Sequence, residues 1–161
     1  MSGGGDVQAV VFGLGREMFA LPVGSVREIL DHRDASAIPH GPSWLIGLTD
    51  VRDQAVPMVD LRVRLGLAAA DVTLATRVLV VDVPIGGRVL TLGLVVDRVL
   101  DVSSFAAAEI EETPDIGVRW RSEYIEGVVR RPDGFVVLLA TNGIFSSEED
   151  ARVLPNVAQA A

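Results

Sequence analysis

The sequence predicts an all-β fold with a few short helices. Apolar residues come in many short runs rich in Val, Ile and Leu, and clusters of Gly, Pro and Asp separate those runs. Few stretches hold a helical period for long. Short apolar segments bounded by turn residues read as strands and hairpins, and about eight to ten of them make a barrel or a sandwich. No internal repeat stands out at a fixed period.

The segments follow in order. Residues 1–6 read as a flexible lead-in. Val7 to Phe12 is a β-branched run, and Met18 to Leu21 follows it around a Gly15-Arg16-Glu17 turn, so the two form a hairpin. Pro22 stops ladder pairing and opens a short helical turn through Ser25. Val26 to Leu30 alternates only in part, leaving strand and helix both open. Pro39, Gly41 and Pro42 mark a loop before the apolar stretch from Trp44 to Leu48. Val56 to Val59 is a strand in which Pro57 must avoid a donor position of the ladder. Asp60 to Leu65 suits one or two helical turns, with Asp60 as N-cap and Gly66 past the end.

Residues 67–76 read as a linker. Arg77 to Val83 and Val89 to Val96 flank Pro84-Ile85-Gly86-Gly87, a strong hairpin signal. Asp97 to Val102 continues extended, and residues 103–118 read as a polar, acidic connection. Tyr124 to Val129 and Phe135 to Leu139 flank a third turn at Arg131-Pro132-Asp133-Gly134. Thr141 to Asp150 suits a helix capped by Thr141 or Asn142. The chain thus divides into 1–6, a single domain over 7–148, and a loose or weakly helical tail over 149–161.

Composition narrows the function. Of 161 residues 49% are apolar and 5% aromatic, so the core is aliphatic, and a chain this apolar can offset its ordering entropy by burial. There is no cysteine, hence no disulfide, thiolate nucleophile or Cys-ligated metal. All 14 basic residues are arginine, which removes Schiff-base chemistry and the P-loop lysine. A net charge of −8 disfavours nucleic acid and anionic lipid as partners. No run reaches the roughly 20 apolar residues of a membrane helix, and the N-terminus lacks the features of a signal peptide. The expected location is the cytoplasm.

Chemical motifs are sparse. His32 and His40 match no familiar ligand spacing and read as loop histidines, so no metal site or cofactor is expected. Gly13-Leu14-Gly15 lacks the third glycine and the βαβ context of a dinucleotide site. No nucleophile elbow is present, and Glu111 with Glu112 reads as a solvated acidic patch. A small β-barrel enzyme or ligand-binding protein would need a deep pocket lined by one of the histidines. The cluster Asp50-Val51-Arg52-Asp53 is the exception, because an arginine held in a tight turn suits either a surface ion-pair cluster or protein docking.

The order of segments resembles the CheW family of chemotaxis coupling proteins. Pro42-Ser43-Trp44-Leu45-Ile46-Gly47-Leu48-Thr49-Asp50-Val51-Arg52-Asp53, followed by Val56-Pro57-Met58-Val59-Asp60-Leu61-Arg62, is similar to the family's central motif. Val26-Arg27-Glu28-Ile29 resembles its Val-x-Glu-Ile, and Leu92 to Val102 resembles its Gly-Leu-Val-Val-Asp stretch. Tyr124 to Val128 with Phe135 to Leu139 resembles its closing hairpin, so the likeness spans about residues 7–148.

The resemblance implies two intertwined small SH3-like β-barrels sharing a hydrophobic core. It also implies a non-enzymatic adaptor that couples a CheA-type histidine kinase, through the kinase's own CheW-like regulatory domain, to the cytoplasmic tip of methyl-accepting chemoreceptors. Ring self-association and recruitment to membrane receptor arrays are implied as well. Val26, Glu28 and Arg52 stand at the family's receptor-facing positions, and Ile46, Gly47 and Leu48 near its kinase-facing surface. The family's Asn-Leu-Arg-Gly is here Asp50-Val51-Arg52-Asp53, which turns the local charge from about +1 to about −1. Asp50 and Asp53 are therefore candidate modulators of the receptor contact, and a module that binds the kinase with altered receptor coupling is the alternative.

Overall fold

The computed structural model describes residues 5–85, 87–112 and 124–145. The readings of residues 1–4, of the acidic connection beyond 112, of the helix beyond 145 and of the 149–161 tail lie outside the described residues.

Among the described residues eleven strands form two sheets. In chain order they are β1 (Val7–Leu14), β2 (Glu17–Pro22), β3 (Val26–Asp31), β4 (Leu45–Val51), β5 (Gln54–Asp60), β6 (Arg77–Ile85), β7 (Arg88–Val96), β8 (Arg98–Phe105), β9 (Ile110–Glu111), β10 (Ile125–Arg131) and β11 (Gly134–Leu139). Two single-turn helices follow β5 and β11: α1 (Leu61–Arg64) and α2 (Thr141–Ile144). The first sheet has the order β8-β1-β2-β11-β10-β9 and the second β3-β6-β7-β5-β4. The chain builds two strands of the first sheet, all of the second, then returns to complete the first. Each sheet curls into a small SH3-like barrel. In the second, the bridge between Ser36 and Leu48 joins the segment after β3 to β4, with amide-to-carbonyl distances of 2.8 and 2.9 Å.

Strand alternation explains how two barrels share one core. On β1, Val10, Phe12 and Leu14 enter the large central cluster, while Ala9 and Val11 line the interior of the first barrel. On β6, Leu79, Val81, Val83 and Ile85 enter the same central cluster, while Val78 and Val80 line the second barrel with Met58. Successive side chains point to opposite faces. A strand apolar at every position is therefore one buried on both sides, and the uninterrupted run Val78-Leu79-Val80-Val81 is that signature in the sequence.

The two halves repeat each other without a legible sequence repeat. Each sheet holds one parallel pair, β2 with β11 and β7 with β5. The amide of Asp60 donates to the carbonyl of Trp44 at 2.8 Å, and that of Ala140 to Tyr124 at 2.8 Å. The ladders shift register between Leu45 and Gly47 and, equivalently, between Ile125 and Gly127. A Cβ at Gly47 would run into the carbonyl of Ser36, and one at Gly127 would meet Ile110 and the backbone of Glu111. Gly47 is set by close approach of the segment after β3, and Gly127 by close approach of β9.

Several expectations sharpen. Val26 to Asp31 is a strand, paired with β6. The stretch read as a polar connection from residue 103 instead extends β8 to Phe105, makes a 3-10 turn over Ala107–Glu109 and adds β9. Buried Phe105 and half-buried Ile110 anchor it to the inside of the first barrel, and the Glu109 carboxylate accepts the Ala106 amide at 2.8 Å. Asp60 caps α1 as expected, its side chain accepting from the Val63 amide at 3.3 Å. The N-cap of α2 is Ala140, ahead of both residues proposed for it, and it brings no side-chain acceptor. Asp60→Ala should cost about 1 kcal/mol in a denaturant titration, the usual value of such a cap.

Candidate partner-binding surface

Glu28 stands opposite Val80 across the β3–β6 ladder. Directly opposed side chains point to the same face, and Val80 lines the second barrel, so the Glu28 carboxylate points to the mouth of that barrel. Arg52, at the tip of the β4–β5 hairpin, folds back over it. Its Nε donates to one carboxylate oxygen and its Nη2 to the other, both at 3.0 Å, a bidentate pair. The arginine side chain keeps 78% of its surface exposed while the glutamate keeps 24%. Hydrogen bonding from Arg52 lowers the Glu28 pKa, against an opposing effect of partial burial. Two of the five guanidinium N–H groups serve this pair, which leaves three facing solvent. Val26, at the start of β3, is half-buried and packs on the shared core beside the pair.

The turn that carries Arg52 is strained. Arg52 has φ 52° and Asp53 φ 64°. A two-residue hairpin turn needs positive φ at both central positions, which Asn-Gly supplies at least cost. Asp tolerates this conformation better than most residues, and Arg does not. An arginine kept there marks a side chain whose placement matters, since backbone strain concentrates at functional positions.

The carboxylates of Asp50 and Asp53 pair with no side chain among the described residues, while the Asp50 carbonyl accepts from Arg33 Nη1 at 2.8 Å. They line an open groove of about 700 Å³ with Leu48, Thr49, Gln54, Ala55 and the Arg88–Thr91 stretch. Of the positions read as kinase-facing, Ile46 is exposed, Leu48 is half-buried against the shared core, and Gly47 is buried under Ser36. His32 and His40 line no part of this groove, and no His/Asp/Glu cluster among the described residues suits a metal ion.

The first barrel carries a counterpart of the acid–arginine pair. Asp101 stands opposite Val11 as Glu28 stands opposite Val80. Arg131 reaches Asp101 from the β10–β11 hairpin at 3.7 Å and donates to the Ser103 hydroxyl. A carboxylate on one strand closed over by a hairpin arginine is thus partly a device of the fold. Strain and exposure at Arg52 are what set the second barrel apart.

Two further clusters escaped the sequence reading. Arg62 on α1 holds Asp97 through Nη2 at 2.6 Å and Nε at 2.9 and 3.1 Å, and the Gly15 amide donates to the same carboxylate at 2.6 Å. This joins the β1–β2 hairpin of the first barrel to α1 and the end of β7 in the second. Arg64 stacks over Trp44 at 4.7 Å and Phe145 at 5.2 Å and donates to the Ile144 carbonyl, tying the two helices together. Arg62 closes a motif quoted for its family likeness and Arg64 lies two residues beyond it, but only three-dimensional proximity assigns their partners.

No helix among the described residues is long and apolar enough to cross a membrane. A family model for the CheW-like domain matches residues 8–149. The chain is 33% identical over 150 residues to the chemotaxis protein CheW of Klebsiella aerogenes, covering 93% of this chain and 87% of that one. It is 31% identical over 145 residues to the chemotaxis protein CheW of Rhizobium meliloti, covering 90% and 91%. Among solved structures, the scaffolding protein TtCheW from Thermoanaerobacter tengcongensis matches with a TM-score of 0.78 at 24% identity, over 88% of this chain and 89% of that one, a likeness of fold. With the fold, the ordered motifs and these matches in agreement, the chain belongs to the CheW-like domain family.

Proposed function

We propose that this chain is a non-enzymatic chemotaxis scaffold that couples a CheA-type histidine kinase to the cytoplasmic tips of methyl-accepting receptors. The observation that carries the reading is the exposed Arg52, held in a strained turn and oriented by Glu28 beside Val26. An apolar contact next to a preset guanidinium suits an amphipathic helix bearing a carboxylate. Residues 7–148 act as one unit in this reading, in the cytoplasm and recruited to receptor arrays. Ile46 and Leu48 offer apolar surface to the kinase, and buried Gly47 positions them. Self-association into rings belongs to the same proposal. Co-sedimentation with the cognate kinase and receptor tips is the test: the chain should pellet with both, and its absence from both pellets would sink the proposal.

A second reading is favoured by Asp50 and Asp53, two carboxylates without side-chain partners beside Arg52 among the described residues. They weaken the attraction of this surface for an acidic receptor segment while leaving kinase binding intact. Asp50→Asn with Asp53→Gly should then tighten receptor binding at low salt, with a smaller gain at high salt because the effect is Coulombic. Unchanged receptor affinity would remove this reading.

A further inference from the structure

The hairpin tip that carries Arg52 gains little from its own residues. A two-residue turn with φ 52° at Arg52 and φ 64° at Asp53 lacks the Asn-Gly pair that would hold it locally. Its position therefore depends on what grips the strands below it. On one side β4 has β5. On the other it meets the segment after β3, and the two pair at a single step, Ser36 with Leu48. The Ser36 amide donates to the Leu48 carbonyl at 2.8 Å and the Leu48 amide to the Ser36 carbonyl at 2.9 Å. Backbone groups alternate in direction along a strand. The Asp50 carbonyl thus points to the same segment, where residue 34 would be its next ladder partner.

Side chains complete that step in place of the ladder. Arg33 Nη1 donates to the Asp50 carbonyl at 2.8 Å. The hydroxyl of buried Thr49 donates to the Asp34 carbonyl at 3.0 Å, which fixes the residue next to Arg33. The first barrel does without this device. Its β9 pairs with β10 over two steps, Glu111 with Val128 and Ile110 with Val129. Its β10–β11 hairpin turns with no positive φ outside glycine. Main-chain pairing is shorter, and a side-chain grip replaces it, beneath the tip that is strained and bears the exposed arginine.

We infer that Arg33 is a positioning residue for Arg52: its grip on the Asp50 carbonyl, two residues before Arg52, holds the hairpin tip over β3, so that Arg52 stays on Glu28 with its remaining donors outward. This role rests on the reading of Arg52 as the receptor contact, and it adds a residue that lies outside the motifs quoted for the family. Charge is not what singles out Arg33. Beyond the hydrogen bond from Arg52, the charges of Arg27 and Arg33 both lower the Glu28 pKa, Arg27 the more strongly. Arg27, however, is turned to Asp82 and Thr91 and makes no hydrogen bond to the hairpin among the described residues.

The test uses the full chain, following the Arg52 Nε–H signal by NMR and measuring receptor-tip binding alongside. Arg33→Met should move that signal toward a free arginine and speed its exchange with water. It should weaken receptor binding about fivefold, the scale of one partly exposed hydrogen bond, while the amide spectrum of the first barrel stays as in the wild type. Arg33→Lys keeps a donor of similar reach and should recover both readouts. Arg27→Met removes a charge near Glu28 but no contact to the hairpin, and should leave the signal in place. An Arg52 signal unchanged in Arg33→Met overturns the positioning role. An equal response to Arg27→Met overturns it too, since charge would then hold the pair. A signal that moves without any change in the receptor affinity of a chain that binds also overturns it. Should the wild type bind no receptor, the receptor reading falls, and the spectral result alone still decides whether Arg33 positions Arg52.

Discussion

Asp97→Ala is expected to destabilise the protein by about 2–3 kcal/mol, lowering its melting temperature by roughly 5–10 °C. The carboxylate accepts from Arg62 and from the Gly15 amide. Both side chains are mostly buried, 18% exposed for Arg62 and 26% for Asp97. Truncation therefore leaves a desolvated guanidinium without its counter-ion, and the cost exceeds that of an exposed pair. Arg62→Lys, with Asp97 in place, should lose part of the same stability, because an ammonium cannot donate in the bidentate fork. The pair also sets an acid limb. Hydrogen bonding from Arg62, opposed by partial burial and aided by the Gly15 amide, lowers the folded-state pKa of Asp97 below its ordinary value. A depressed carboxylate contributes stability that is fully present above its unfolded pKa and is lost as pH falls through the folded one. Wild-type stability should thus fall more steeply than that of Asp97→Asn below about pH 4. Parallel acid limbs for the two proteins would count against Asp97 as the group responsible.

The effect follows from topology. The lock joins the β1–β2 hairpin, built first, to α1 and the end of β7, built after the chain has crossed to the second barrel. Shared apolar burial holds the barrels together without direction. A bidentate pair with an added backbone donor fixes their angle, as dispersion between aliphatic side chains does not.

The sequence made the strands legible because burial on both faces writes itself as unbroken apolar runs, such as Val78 to Val81 and Leu92 to Val96. Turn residues placed the hairpins for the same local reason. The β3 strand stayed ambiguous because Val26, Glu28 and Leu30 are only half-buried, a bulge between Val26 and Glu28 breaks the alternation, and the Glu28 charge must be satisfied by a distant hairpin. β9 was hidden among acids, since two residues pairing with Val128 and Val129 need only one apolar anchor, Ile110. The internal duplication was invisible for a related reason. Trp44 and Tyr124 make the same backbone contact, and Asp60 and Ala140 the same cap position. Ladder hydrogen bonds run through main-chain groups, which leaves side-chain identity free except where a neighbour approaches closely, at Gly47 and Gly127. Of the site, residue types and order were readable through family likeness. That Arg52 pairs with Glu28, and that Asp50 and Asp53 instead face a groove, depends on how the barrel closes.

Arg52→Glu is expected to abolish receptor co-sedimentation while leaving the kinase in the pellet, and the swap Glu28→Arg with Arg52→Glu separates the two roles open to this pair. If Arg52 serves only to close the barrel mouth, the swapped pair restores the closure and with it every function of the single variants. If Arg52 contacts the receptor, the swap restores folding but presents the wrong charge, and receptor binding stays lost. Exposure favours the second outcome: Glu28 lies beneath, and the guanidinium keeps three donors outward. Strain adds to it, because the simplest way to close the mouth would not place arginine at φ 52°. Asp101 with Arg131 provides the internal control. Its arginine is turned onto Asp101 and Ser103 with 25% of its side-chain surface exposed. The corresponding swap there should leave receptor binding unchanged. Amide spectra of each variant report whether the barrel has closed, so loss of binding in a well-folded swapped protein assigns the contact to Arg52. Recovery of binding in that same protein would assign the pair to the fold alone.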